Sequence, residues 1–196
     1  MINVYAKNAG GVWFAVAFQG EEIFATNFGT DGKIVLDGLL RSIPFDVPFQ
    51  KIETATRFAE RAIALLKDLF DGKGASENLS FAMQHLSGYT QKVLKITSLI
   101  PLGYVASYGS VASVAGGSPR AVGRVMALNP FAPVIPCHRV VGSDLSLVGY
   151  GGGLKMKLEL LKRERRGYDS EREIAVDHER LRVFPVEFVL KKVSKR

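Results

Sequence analysis

The residues best suited to chemistry lie in the run Pro136-Cys137-His138-Arg139-Val140. Cys137 is the only cysteine among 196 residues, and it stands between a proline and a histidine. A lone cysteine is most often a small buried hydrophobe. A thiol on a restricted backbone beside a basic side chain can instead be activated as a nucleophile. A glycine-rich loop, Gly149–Gly153, follows shortly after. We therefore take Cys137 as the candidate nucleophile.

A nucleophilic cysteine needs a group that accepts its proton, and His138 and Glu164 are the candidates. An imidazole that is oriented by a carboxylate follows the logic of the catalytic triads. We predict that Pro136–Val141 is a short buried strand, in which neighbouring side chains point to opposite faces. A direct pair of Cys137 and His138 is then unfavourable, and a relay through a bridging water is easier to build. Judged by its neighbours alone, Glu164 is expected to be a surface charge among lysines and arginines.

The distribution of charge indicates a polyanionic partner. The formal net charge is +7, and residues 1–84 carry eight Lys/Arg against ten Asp/Glu, whereas residues 85–196 carry eighteen against nine. The basic excess is thus confined to the half that contains Cys137, which is typical of a surface that binds nucleic acid. The alternative is a solvated helix face followed by a basic tail, since Lys162, Arg163, Arg165 and Arg166 cluster at one predicted helix end.

Composition limits the class of protein. The chain is 47% hydrophobic and its length fits one or two compact domains. It has no apolar run near the length needed to cross a bilayer, and Met1–Tyr5 lacks the pattern of a signal peptide. A single cysteine forms no internal disulfide, so we expect a reducing, cytoplasmic location. Three histidines and one cysteine without paired spacing predict no metal site.

The first half is predicted to form an α+β domain, residues 1–77. Alternating apolar residues predict a sheet, and an amphipathic stripe predicts a long helix. This domain carries no catalytic constellation, and a linker with two glycines ends it. The predicted elements are strands at Ile2–Tyr5, Val12–Gln19 and Glu22–Asn27, helices at Asp31–Ser42 and Thr54–Phe70, and the linker Asp71–Ser76.

The second domain, residues 78–196, is predicted to be mainly helical. Its last thirty residues form a charged tail with one apolar run, Val183–Leu190, whose alternation favours an extended segment packed back on the body. The other predicted elements are a strand at Leu79–Met83 and helices at Thr90–Ile100, Ser110–Ala115, Pro119–Leu128 and Leu154–Arg166.

The predicted helices Ser110–Ala115 and Pro119–Leu128 form a helix-turn-helix pattern, with Gly116-Gly117 as the turn between them. Ser118 and Pro119 suit the start of the second helix. That helix offers few side chains that read base edges, and small residues that allow close approach to a narrow minor groove. The alternative is that these residues are small because another helix packs there. The candidate DNA-binding residues of this helix are Arg120, Ala121, Gly123 and Arg124.

The run Asn129–Val141 resembles the O6-alkylguanine-DNA alkyltransferases, and specific motifs extend the resemblance over roughly Tyr89–Arg166. The first eighty residues match only in size and general pattern. The resemblance implies an N-terminal α+β domain and a winged helix-turn-helix-like C-terminal domain. It also implies a stoichiometric transfer of a methyl or larger alkyl group to Cys137. The donor is O6-alkylguanine, with O4-alkylthymine as a second substrate, in double-stranded DNA. No cofactor is needed, and the protein is expected to act as a monomer.

The resemblance also implies roles for individual residues. His138 acts through a bridging water, and Glu164 orients it. Arg120 enters from the minor groove and fills the place of the flipped base, in a helix with Ala121, Gly123 and Arg124. Tyr108 donates to the leaving purine, Asn129 braces the turn beside the cysteine, the Cys137 and Val140 carbonyls and the Gly151 N–H bind the base, and Tyr150 lines the pocket.

Two features depart from the family pattern. The segment between Tyr108 and Arg120 is short, and Arg124 stands where the family often has a small residue. Two other functions remain open at this point. One is a non-catalytic helix-turn-helix module that recognises alkylated DNA, and the other is a thiol hydrolase that uses Cys137 and His138. Retention of the cysteine argues against the first, and the predicted strand geometry argues against the second.

Overall fold

The computed structural model describes residues 1–75 and 77–194, and these form two compact units. Unit 1 contains Met1–Phe70, Gly74–Leu86 and Pro130–Val134, and unit 2 contains Asp71–Lys73, Ser87–Asn129 and Ile135–Arg196. The predicted boundary between two folding domains after residue 77 stays a prediction. By their contacts, residues 78–86 and the short segment 130–134 belong with unit 1.

Unit 1 is a five-stranded sheet with a helix on each face. Strand β2 is apolar throughout its centre, and its alternate side chains therefore face different helices. Ala15 and Ala17 pack in the cluster that contains Leu39 of α1. Phe14 and Phe18 contact Phe70 and Phe58 of α2, with ring centroids 5.8 and 5.2 Å apart. The elements are β1 Ile2–Ala9, β2 Val12–Gln19, β3 Glu22–Gly29, α1 Gly32–Arg41, β4 Phe49–Lys51, α2 Arg57–Phe70 and β5 Ser80–Phe81, in sheet order β4-β1-β2-β3-β5.

Unit 2 combines helices with a four-stranded sheet in the order β7-β6-β9-β8. Strand β6 pairs in parallel with β7 and antiparallel with β9. It therefore lies between the strand that directly follows Cys137–Arg139 and the C-terminal hairpin. The elements are α3 Gly88–Ser98, β6 Tyr104–Ser107, α4 Tyr108–Ala115, α5 Pro119–Ala127, β7 Val140–Val141, α6 Gly153–Arg163, β8 Arg172–Val176, β9 Glu179–Pro185 and α7 Val186–Val193.

The mixed α/β architecture agrees with the predicted α+β class in its coarse form. The second half is less helical than predicted, because the charged tail contributes two strands of a sheet. The extended segment predicted at Val183–Leu190 is correct only up to Pro185, where α7 begins. A proline with ψ 140° ends the strand and stands at the N-cap position of the helix.

Two local predictions at the site were wrong. The predicted strand Pro136–Val141 is a 3-10 turn at Cys137–Arg139 followed by a two-residue strand. Pro136, with ψ 67°, turns the chain away from extended geometry. Leu154 was predicted to face inward, but it is 49% exposed, because it lies in the first turn of α6 away from the core. Among the described residues, no helix has the length and apolar character to cross a membrane.

Candidate active site around Cys137

The 3-10 turn buries the thiol of Cys137 and fixes its backbone on both sides. Cys137 N–H donates to the carbonyl of Ile135 at 2.8 Å, and Arg139 N–H donates to that of Pro136 at 2.8 Å. The residue is only 6% exposed. Burial raises the pKa of the thiol, while a hydrogen bond from Asn129 and the charge of Lys157 oppose that rise. The resting group is therefore the thiol, and a base would have to take its proton before Cys137 could act as a nucleophile.

His138 is held by a buried carboxylate. Its Nε2 lies 2.8 Å from Oε1 of Glu164, and the two side chains are each 2% exposed. Because a carboxylate accepts, Nε2 carries the proton and Nδ1 presents its lone pair. Nδ1 is buried and has no hydrogen-bond partner among the residues that the structure describes. Glu164 is thus not the surface charge that its neighbours indicated, and its contact with Nε2 leaves the Nδ1 lone pair of the imidazole available.

Arg139 completes the network and makes it rigid. Its Nε and Nη2 donate to the two oxygens of Glu164, both at 2.9 Å, and its Nη1 donates to the carbonyl of Ile100 at 2.6 Å. This bidentate contact fixes the plane of the carboxylate as well as its position. No role for Arg139 was predicted beyond its place in the run Pro136–Val140. The structure assigns it a second task, the neutralisation of Glu164.

The pKa values in this network are set by burial and by the paired charges. Burial alone would raise the pKa of Glu164, but the contacts with His138 and Arg139 outweigh it and lower the pKa to about 2. Burial lowers the pKa of His138, although Glu164 partly opposes this. At neutral pH the carboxylate is therefore charged and the imidazole is neutral, which is the state that a proton acceptor needs.

Asn129 connects the end of α5 to the cysteine turn. Its Nδ2 donates to the carbonyl of Ile135 at 2.8 Å, and its side chain also hydrogen-bonds the Cys137 thiol. Between these two residues the chain passes through the segment 130–134, which belongs to unit 1. Asn129 thus contacts both Ile135 and Cys137, and its predicted bracing role stays a prediction.

Lys157, which was not among the predicted site residues, is fully buried in α6. Its ammonium donates to the carbonyls of Val140 at 2.6 Å, Val148 at 2.7 Å and Gly149 at 3.2 Å. Burial lowers its pKa to about 8, and Cys137 opposes that shift. The sequence contained a signal for the burial of Lys157, because this residue lies four positions before Leu161 on the apolar stripe of α6. An inward-facing lysine on such a stripe indicates an internal partner.

The tyrosines and glycines of the predicted pocket lie around this centre. Tyr108 is the first residue of α4 rather than part of a preceding loop, and its ring centroid is 5.9 Å from the Lys157 ammonium. A Cβ built on Gly149 would lie 3.9 Å from the Tyr108 hydroxyl, so this tyrosine faces the glycine loop. Burial raises the pKa of Tyr108, and it raises that of Tyr150 well above 10. Both phenols therefore remain hydrogen-bond donors at neutral pH.

The remaining predicted binding groups are those of Gly151 and Val140. Gly151 is exposed, and a Cβ built there would meet no atom within 4 Å. Val140 is fully buried, and its carbonyl already accepts from Lys157. A carbonyl has two lone pairs, so one remains for a ligand.

Helix α5 places its two arginines on the exposed face. Ser118 accepts from the N–H of Ala121 at 3.3 Å and Pro119 begins the helix, as predicted. Arg120 and Arg124 are exposed, and Ala121 and Gly123 are half-buried. A Cβ built on Gly123 would meet only the Tyr108 ring, at 3.9 Å. This ring belongs to the first residue of α4, and 3.9 Å is an ordinary van der Waals distance, so the space at Gly123 does not by itself require glycine.

The turn between α4 and α5 requires glycine. Gly116 and Gly117 have φ of 82° and 87°, a region that other residues rarely adopt. A Cβ on Gly117 would lie 2.8 Å from the hydroxyl of Tyr89, which itself donates to the carbonyl of Gly116 at 3.1 Å. Tyr89 thereby ties α3 to this turn.

Comparison with known proteins identifies relatives for most of the chain. Residues 88–166 match the family described as 6-O-methylguanine DNA methyltransferase, DNA binding domain. A methylated-DNA–protein-cysteine methyltransferase of Methanocaldococcus jannaschii is 36% identical over 152 residues, covering 76% of this chain and 79% of that protein. One from Methanothermobacter thermautotrophicus is 49% identical over 76 residues, covering 39% of this chain and 43% of that protein. The chain spans about half the length of several such curated relatives that it matches.

A solved structure has the same fold. The O6-methylguanine methyltransferase of Mycobacterium tuberculosis superposes with a TM-score of 0.65 at 25% identity, covering 86% of this chain and 97% of that one. Residues beyond 166 lie outside the matched family domain.

Proposed function

The chain belongs to the methylated-DNA–protein-cysteine methyltransferase family, and we propose that it transfers a methyl or larger alkyl group from O6-alkylguanine in duplex DNA to Sγ of Cys137. One observation carries the proposal. The only cysteine is buried beside an imidazole whose Nε2 is fixed on Glu164 and whose Nδ1 is free to accept a proton.

The reaction begins with proton transfer. The Sγ–H proton of Cys137 passes through a bridging water to Nδ1 of His138, which becomes an imidazolium beside Glu164. The charge of Lys157 offsets part of the cost of forming a thiolate in a buried site. A direct transfer from sulfur to the imidazole is not required.

The thiolate then attacks the alkyl carbon. A C–S bond forms as the C–O6 bond breaks, and the electron pair of the broken bond remains on guanine. The hydroxyl of Tyr108, with its raised pKa, donates a hydrogen bond to the purine and stabilises that charge. The thioether stays on the protein, and since the described chain holds one cysteine, each molecule reacts once.

The pocket binds the extruded base through backbone groups that the structure holds in place. Lys157 fixes the carbonyls of Val140 and Gly149. The second lone pair of Val140 and the carbonyl of Cys137 accept from the exocyclic amine, and the N–H of Gly151 donates to O6. Tyr150 forms part of the wall around the alkyl group. O4-alkylthymine, which presents a related alkoxy carbon, is the second proposed substrate.

Double-stranded DNA is the proposed partner, bound by α4 and α5 as a winged helix-turn-helix. Helix α5 enters the minor groove, where Ala121 and Gly123 allow close approach and Arg124 meets a phosphate. Arg120, at the exposed start of α5, occupies the place of the flipped nucleotide. We further propose that the protein acts as a monomer in the cytoplasm, without a cofactor.

The test is intact-mass analysis after incubation with duplex DNA that carries one O6-methylguanine. The wild-type chain is expected to gain one methyl group, which peptide mapping places on Cys137. The Cys137→Ser variant is the matched control, and it should gain nothing while it still binds the methylated duplex. No gain by the wild-type chain, with binding retained, would favour a non-catalytic DNA-binding module. A methyl group on Cys137→Ser would remove this residue from the mechanism.

A further inference from the structure

The C-terminal segment, residues 167–194, lies beyond the matched family domain and has a defined structure. It forms the hairpin of β8 and β9 and then helix α7. Strand β9 pairs with β6, and β6 pairs with β7, the strand that follows the cysteine turn. The segment is therefore part of the sheet that supports the active site.

Glu187 of α7 is a buried carboxylate that the transfer chemistry above does not use. It is 7% exposed, and its Oε1 accepts from the N–H of Arg166 at 3.1 Å and from that of Gly167 at 2.5 Å. Its Oε2 is buried and has no partner among the residues that the structure describes. Burying a carboxylate that is only half satisfied costs stability. Such a group is tolerated where its hydrogen bonds define a geometry.

The N–H groups of Arg166 and Gly167 belong to the backbone segment that directly follows Glu164. Glu164 caps the end of α6, and its own N–H donates to the carbonyl of Leu160 at 3.1 Å. Gly167, with φ +75°, then turns the chain toward the hairpin. Glu164 is thus fixed by α6 on its N-terminal side, and the bonds to Glu187 fix the backbone two and three residues later.

Helix α7 is itself anchored near the cysteine turn. Val186 and Val189 are fully buried in a cluster with Val141 of β7 and Leu161 of α6. At the other end of the helix, the Lys192 ammonium donates to the backbone carbonyl and to Oδ2 of Asp144, both at 2.6 Å. Asp144 lies in the turn that follows β7. Helix α7 therefore connects the segment after Glu164 with the turn after Val141.

We infer that helix α7, acting through Glu187, positions the Glu164 carboxylate and thereby orients His138 for transfer. This inference rests on the proposed function. Glu187 does not touch the substrate or the reacting atoms, so it is a positioning residue. Its contribution is expected in the rate of the chemical step, because small displacements of a proton acceptor slow the reaction while the DNA surface is unchanged.

The test compares Glu187→Ala with Glu187→Gln in single-turnover transfer from O6-methylguanine duplex DNA. The rate is measured over a range of DNA concentrations, which separates the limiting rate constant from the half-saturating concentration. We expect Glu187→Ala to lower the limiting rate constant about 10- to 100-fold with an unchanged half-saturating concentration. Glu187→Gln keeps an oxygen that accepts both N–H groups, and it should restore most of the rate.

A second readout does not depend on transfer. The Nε2–H proton of His138 should give a downfield NMR signal in the wild-type chain and in Glu187→Gln, because it is bonded to a buried carboxylate. This signal should be lost or broadened in Glu187→Ala. A wild-type limiting rate and an intact signal in Glu187→Ala would overturn the inference, and so would a loss confined to the half-saturating concentration. Absence of transfer by the wild-type chain would instead count against the proposed function, while the NMR comparison would still judge the positioning role.

If Glu187→Ala does not fold, two less disruptive variants test the inference. Lys192→Ala removes the other anchor of α7, and the exposed neighbour Lys191→Ala is its matched control. Lys192→Ala should slow the limiting rate and Lys191→Ala should not. Equal rates for the two variants would overturn the inference.

Discussion

The two units of this protein bury different kinds of side chain. Among the described residues of unit 1 the buried set is apolar except for Thr26, whose N–H and hydroxyl donate to the carbonyls of Pro130 and Ala132 at 2.8 and 2.9 Å. In unit 2 the described residues include seven buried polar or charged side chains, most of them at or beside the site. They are Thr97, Ser107, His138, Arg139, Lys157, Glu164 and Glu187.

This contrast separates an apolar core from a network of buried polar and charged side chains around the proposed site. An apolar core stabilises a domain without any need for exact charge placement. Buried ions are retained at a cost, and each must be matched by a partner. In unit 2 these partners come from segments far apart in sequence, so the network is sensitive to the loss of one member. Unit 1 should lack that sensitivity.

The largest expected effect is the removal of the carboxylate at the centre of the network. Glu164→Ala leaves Arg139 buried without its counter-ion, and breaking a buried ion pair from one side costs about 3–5 kcal/mol. Transfer should also become very slow, because His138 loses its orientation. The measurement is urea unfolding followed by hydrogen exchange in unit 2, together with single-turnover transfer.

The matched control removes a carboxylate of unit 1. Glu77 forms an exposed ion pair with Arg61 at 2.8 Å, and exposed pairs contribute little. Glu77→Ala should leave both stability and transfer unchanged. Trp13, the only tryptophan, lies in unit 1 and reports its unfolding by fluorescence. Equal losses for the two variants would show that the units do not differ as described.

Acid should weaken unit 2 before unit 1. The pKa of His138 is lowered from 6.5 by burial, so the unfolded chain binds its proton more readily, and stability falls as the pH drops below about 6.5. The pKa of Glu164 is lowered from 4.5 to about 2, so its contribution is present above 4.5 and is lost as the pH falls toward 2. That second loss is at most about 3 kcal/mol.

The measurement is the free energy of unfolding between pH 7 and pH 3, with hydrogen exchange read separately in each unit. Glu164→Gln should remove the lower part of the pH dependence. A decline of the same size in both units, or a wild-type profile in Glu164→Gln, would contradict this assignment.

Alkylation of Cys137 should destabilise unit 2 moderately. The added carbon must fit between the cysteine turn and Asn129, and overpacking of a dense site costs about 1–3 kcal/mol. The alkyl group on Sγ also disturbs the hydrogen bond between the Asn129 side chain and the Cys137 thiol. We expect a lower melting temperature for the fully methylated protein and faster exchange at the end of α5. An unchanged or raised melting temperature would refute the claim.

The smallest effects are expected from substitutions that remove a surface charge. Arg120→Ala should slow transfer from duplex DNA, where the base must be flipped, far more than transfer from the free O6-methylguanine base. Arg57→Ala, which removes an exposed arginine of unit 1, should have no effect on either substrate. Equal losses on both substrates for Arg120→Ala would assign this residue to folding instead of base extrusion.

The salt dependence gives a finer comparison of the same surfaces. Arg124→Ala is expected to reduce the slope of log affinity against log salt by about one phosphate contact. Arg57→Ala should leave the slope unchanged. An unaltered slope for Arg124→Ala would mean that this arginine contacts no phosphate.

Much of the frame follows from local sequence. The start of α5 was predicted at Pro119 because a serine cap and a following proline act within one helical turn. The apolar strand Val12–Gln19 has the predicted bounds for the same kind of reason, since its pattern is contained in eight consecutive residues. The proposal that Cys137 is the nucleophile also started from its neighbours in sequence.

The sequence alone did not determine which charged residues are buried. Glu164 reads as a surface charge by its neighbours, and only the fold places it against His138 and Arg139, some 25 residues earlier in the chain. Lys157 bonds carbonyls 8 to 17 residues away, and Glu187 bonds N–H groups 20 and 21 residues away. Local pattern reports how a segment folds, whereas the partner that makes a buried charge tolerable comes from another segment and is set only by tertiary packing.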